Sequence, residues 1–120
     1  MARATAINNT NLGGKNKIKT LVSNSVSANT PFFVEPSTLD EELVFVFTPS
    51  SATGGATLTV LHGTGYAGVK DVVLDVSTSG AKAFTINSAR HLIERGENDG
   101  LIQMKSTVAG TISVIQPRQV

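Results

Sequence analysis

Cysteine and tryptophan are absent from this 120-residue chain, tyrosine occurs once, and neither sign of charge dominates: ten basic residues against nine acidic ones leave a net charge of +1. Each absence removes a class of protein. Without cysteine there is no disulfide scaffold, no thiolate zinc site and no thiol catalysis. Without a charge excess there is no whole-molecule field to draw in nucleic acid or an anionic membrane. Sugar-binding modules usually display flat aromatic platforms, and these are missing too: the five phenylalanines sit in strand-like runs and read as core. No run approaches the length of a membrane span, and the opening MARATAINNTNLGG lacks the apolar stretch of a signal peptide. The expectation is a soluble product made in the cytoplasm, as one domain able to bury roughly two-thirds of its unfolded surface.

What is present is a rhythm. From 42 to 114 short β-branched or apolar runs alternate with clusters of Gly, Ser, Thr, Asn and Pro, which predicts an all-β antiparallel sandwich or barrel of seven to eight short strands. The LVFVF run at 43–47 reads as a central strand covered on both faces. TLTVL at 57–61 alternates, with Leu58 and Val60 on one face. VVLDV at 72–76 and KAFTI at 82–86 read as strands joined by a hairpin through 77–80. A short helical turn is expected over 89–93, then a hairpin at the NDG of 98–100, a strand at 101–106 and a last strand at 111–115. FFV at 32–34, bracketed by Pro31 and Pro36, suits an edge strand. Residues 18–22 read as a first strand. Residues 1–17 read as an extended N-terminal arm, leaving 18–120 as a single sandwich domain.

The chemical constellations are few. GTGYAG at 63–68 fits the glycine pattern of a dinucleotide site, but VKDVVLDV follows it where that site needs a helix N-terminus, so it reads as a β-loop. His62 and His91 have no ligand-spaced companions and read as rim or interface residues. Hydroxyls abound without a G-x-S-x-G elbow. Arg90, His91, Glu94, Arg95, Glu97 and Asp99 form the densest charge cluster, and their alternating signs suit ion pairs or an oligomer contact better than acid–base catalysis. No catalytic, metal or cofactor residue is expected, and the chain reads as a non-enzyme. Candidate partner-contact residues are the basic arm (Arg3, Lys15, Lys17, Lys19), the lone loop aromatic Tyr66, and Arg90 and Arg95 in the charged turn. An acidic stretch, Glu35 with Asp40, Glu41 and Glu42, follows the arm.

The stretch from 43 to 116 resembles the head decoration, or cement, proteins of tailed bacteriophages. The resemblance lies in LVFVF, SSATGGATLTV, GYAGVKDVVLDV, GAKAFTI, the SAR turn at 88–90, and NDGLIQMKSTVAGTISVIQ. It implies a jelly-roll-like β-sandwich on the exterior of a virion capsid, with the major capsid protein as partner, further copies of itself as a dimer or trimer, and no nucleic-acid or membrane contact. It carries over no catalytic residue. A head–tail connector or tail structural protein, and a receptor- or glycan-binding sandwich, are the alternatives.

Overall fold

A computed structural model describes residues 3–13, 16–36, 43–64, 70–86, 91–94 and 96–116. Nine strands form two sheets: β1 (Asn9–Asn11), β2 (Asn24–Val26), β3 (Phe32–Val34), β4 (Val44–Pro49), β5 (Thr57–Val60), β6 (Val72–Asp75), β7 (Lys82–Thr85), β8 (Ile102–Ser106) and β9 (Gly110–Gln116). One sheet runs β1-β9-β4-β7, with β2 also on β9; the other runs β3-β8-β5-β6.

The pairings nest. β5 pairs with β6, β4 with β7, β3 with β8 and β2 with β9, all antiparallel. The chain is therefore one long hairpin whose two arms were rolled into a sandwich, which is the jelly-roll order. Lateral ladders β4·β9 and β5·β8 close each sheet. Among the strands of the described residues, only β5 and β6 are consecutive and paired; every other connection from β2 onward crosses between the sheets.

Side-chain alternation explains the core. Phe45, Phe47, Ile112 and Val114 point in from one sheet, and Phe32, Val34, Leu58, Val60, Ile102 and Met104 from the other. Phe45 and Phe84 sit opposite each other in register and stack, with ring centroids 5.0 Å apart and planes 7° from parallel, a cross-strand aromatic pair that fixes the β4·β7 register. Its inner position between β9 and β7 makes β4 central, as the run at 43–47 predicts. It is not covered on both faces, however: Val44 and Val46 are half-exposed while Phe45 and Phe47 are buried. Valines on the outer face serve strand propensity rather than the core.

Two further expectations change. Residues 18–22 form no strand, and Ile18 is 94% exposed. The edge of β9 is instead shared by the polar segments NTN, parallel at 114–116, and NSV, antiparallel at 110–112. These contribute backbone N–H and C=O groups, which side-chain propensity does not report. The 77–80 turn is not a hairpin but an arch, since β6 and β7 lie in different sheets. Asp75 Oδ1 accepts from the Ser77 amide and hydroxyl at 2.8 and 2.6 Å, Gly80 takes φ +97°, and the Lys82 ammonium donates to the carbonyls of Thr78, Ser79 and Gly80. Such turn chemistry reverses a chain without choosing its next sheet. The expected helical turn over 89–93 lies partly outside the described residues; within them His91 is helical, Leu92 bridges Ile102 and Ile93 N–H donates to Leu101 O.

Gly110 opens β9 where β4 ends. A Cβ there would lie 2.4 Å from Thr48 O and 3.0 Å from Phe47 Cζ and Pro49 Cα. The strands can pair at this register only because the side chain is missing. Gly110→Ala should destabilise the fold by about 2 kcal/mol or more, as overpacking against backbone does. Urea unfolding checks this; an unchanged midpoint would show that the strands separate freely.

Candidate functional site

The N-terminal segment does not hang from the sandwich; it is stitched across it. Arg3 donates to Glu35 Oε2 at 3.2 Å and to Asp99 O at 2.6 Å, and Ala4 N–H donates to Asn98 Oδ1. Ile7 N–H then donates to Phe33 O on β3, and Leu12 N–H to Gln116 O on β9. The arm thus passes from the 96–100 turn, along one sheet, to the other. Arg3, a candidate contact residue, stays exposed but makes its guanidinium contacts within the chain, in an ion pair worth at most about 1 kcal/mol and a bond to a backbone carbonyl.

Asn24 locks this arrangement. Its Nδ2 donates to Asn8 O at 2.9 Å and to Ile112 O at 3.2 Å, and its Oδ1 accepts from Asn8 N–H at 3.1 Å. One amide therefore joins the arm, β2 and β9. Nearby, Thr10 Oγ1 accepts from Val22 N–H at 2.8 Å and the Ser23 and Ser113 hydroxyls meet at 3.5 Å. Thr10 and Ser113 are buried although both are polar, because residues 22 and 23 lie over them. Between these anchors residues 16–21 stand exposed, carrying Lys17 and Lys19.

At another part of the surface, the 61–64 and 91–94 segments hold each other. His91 is buried, and its Nδ1 lies 2.9 Å from Leu61 O, so Nδ1 carries the proton it donates. This corrects its reading as a rim residue: the imidazole is a tie between loops. A Cβ on Gly63 would lie 2.2 Å from Leu92 O, and Glu94 N–H donates to Thr64 Oγ1 at 2.7 Å. The first glycine of GTGYAG thus serves close backbone contact, and β6 follows the loop as a strand. His62 is exposed; Asp71 Oδ1 accepts its backbone N–H at 2.7 Å and lies 2.7 Å from its Nδ1. Those two hydrogen bonds hold the Asp71 carboxyl below its ordinary value of 3.8.

Lys15, Tyr66, Arg90 and Arg95 lie outside the described residues. The flanks of the Tyr66 loop and of the charged turn are nonetheless brought together through His91, Gly63 and Thr64. Two contributors escaped sequence reasoning. Nothing in the residue pattern around Asn24 marks it, and reading 18–22 as a strand passes over the break in apolar alternation at Thr20 and Leu21. Among the described residues no group of three or more His, Asp or Glu could hold a metal ion.

Asn24→Ala should cost about 1 kcal/mol, the scale of losing one partly buried hydrogen bond and two exposed ones. It should also selectively speed amide exchange at Ile7, Asn8 and Leu12; uniform protection there would remove Asn24 as the lock. Because the Asp71 value is lowered in the fold, its contribution is complete above the unfolded carboxylate value and is lost as pH falls through the lowered one. Asp71→Asn should therefore flatten the part of the acid limb below about pH 4, with an effect under about 1 kcal/mol because the pair is exposed, measured by thermal unfolding against pH.

No protein-family model, curated protein or solved structure matches this chain.

Proposed function

We propose that this chain is a structural virion protein, a capsid decoration or cement subunit that binds the exterior of a phage head and stabilises the shell. The observation that carries the reading is the strand order, β2-β9-β4-β7 over β3-β8-β5-β6, the jelly roll found in viral shell domains. The resemblance of 43–116 to decoration proteins points the same way. A shared fold hosts many functions, so the surface must agree with it. What supports it is that the arm is tied down across both sheets and that Asp71, Asp75, Lys82 and His91 hold turns or join loops.

Lattice binding asks little of each copy. A modest interface repeated over a shell acts through multivalency, so the whole resists disruption although single contacts are weak. A sandwich whose N-terminal segment is already hydrogen-bonded to both sheets suits that task, because less of that segment is left to order on docking.

Mass measurement of the intact particle should find copies in the hundreds, in step with icosahedral symmetry. Purified chain added to heads lacking it should bind to a fixed ratio and raise the temperature at which they open. A count of about a dozen or fewer would point instead to a connector or tail ring, and absence from the particle would end the virion reading.

A further inference from the structure

The excursion between β1 and β2 leaves the sheet and returns with its neck closed by the Thr10–Val22 bond and the Asn24 lock. Gly13 at φ +77° and Asn16 at φ +59° turn the backbone outward, the two residue types that accept this conformation most readily. Ile18 keeps 94% of its surface in water and Leu21 48%, and among the described residues only Val73 joins them as a large exposed apolar side chain. Val73 stands alone on the outer face of an edge strand, as scattered surface residues do. Ile18 is different, because Lys17 and Lys19 flank it and neither forms an ion pair with a described residue. The first 34 residues contain no Asp or Glu at all, so no carboxylate on the arm, the excursion or β3 offsets those ammonium groups.

We infer that residues 17–21 are a docking finger, and that its occupant is an acidic protein surface with an apolar recess that receives Ile18. The inference rests on the proposed shell-binding role and names the contact that would serve it. An apolar anchor ringed by charge is the layout of a small interface core with its polar rim. The closed neck means that part of the ordering cost is met before contact. Other polyanions fit less well. One isoleucine, one leucine and two ammonium groups fall short of a myristoyl chain, which is itself only a marginal membrane anchor. A nucleic acid offers no recess for isoleucine, and residues 16–21 include no aromatic side chain or arginine to stack on bases.

The full-length chain, Ile18→Ser and the double variant Lys17→Glu/Lys19→Glu are titrated onto heads lacking the protein, with the melting temperature of each free chain measured alongside. The exposed tip predicts unchanged melting temperatures. Each variant should bind at least about tenfold more weakly, the wild-type affinity should fall with added salt, and the double variant should lose that salt dependence. Ile18→Leu and Lys17→Arg/Lys19→Arg should keep binding. Variants that melt and bind like wild type overturn the finger while leaving the shell role standing. Finger-dependent self-association without an effect on shell binding, or equal finger-dependent binding to phosphatidylglycerol vesicles, overturns the occupant. A wild-type chain that binds no shell removes the shell role, and the finger's assignment with it.

Discussion

Both edges of β9 have to be paired before the rest of this molecule can exist. On one side the full length of β4 lies against it from Gly110 to Ile115. On the other, β2 takes its first half antiparallel and β1 its second half in parallel. Strands from the beginning and middle of the chain therefore wait on the last one. A buried strand with an open edge would leave N–H and C=O groups without partners, so β9 takes up the polar NTN and the NSV segment, whose Val26 also enters the core. Ordering of this kind is non-local, and folds dominated by such contacts form slowly.

Close approach sets the second constraint. Gly110 lets β9 come up to the Thr48 carbonyl, and Gly63 lets the loop after β5 rest on Leu92. Around the second contact His91, Thr64 and Leu61 complete a set of ties. Of the buried polar groups, Thr10, His91 and Ser106 each satisfy a backbone group of a different segment or of an adjoining turn, and Ser113 meets the Ser23 hydroxyl. Buried polarity here holds crossings in place, as expected where an unmade bond costs more than a made one contributes.

The stitched arm changes what the surface can offer. Arg3 is engaged in holding the N-terminal segment, so the unpaired positive charge among the described residues of that region lies on Lys17 and Lys19 of the excursion. Basic character at the N-terminal end was legible from the absence of acids before Glu35. Its division into an internal tie and an outward finger was not, because that depends on which lysines and arginines find carbonyls and carboxylates far away in sequence.

Strands β3 to β9 were legible because period-two alternation and turn residues are local properties: Leu58 and Val60, or Ile102 and Met104, announce one buried face by spacing alone. The edge position of β3 followed equally from its flanking prolines. By itself, then, the sequence determined the all-β class, the placement of most strands, most of the core and the lack of cysteine chemistry, although of the five phenylalanines it assigns to the core Phe33 lies outside the buried cluster and Phe84 is only partly buried. Only the tertiary structure decided that the strands roll into nested pairs, that the 77–80 turn is an arch, that His91 is buried, and that Ile18 stands in water while NTN and NSV complete the sheet. The reason is physical. Turn chemistry sets how a chain reverses, whereas the choice of sheet, edge and partner is made by backbone hydrogen bonds between segments as far apart as Asn9 and Val114, and no local pattern of side chains encodes them.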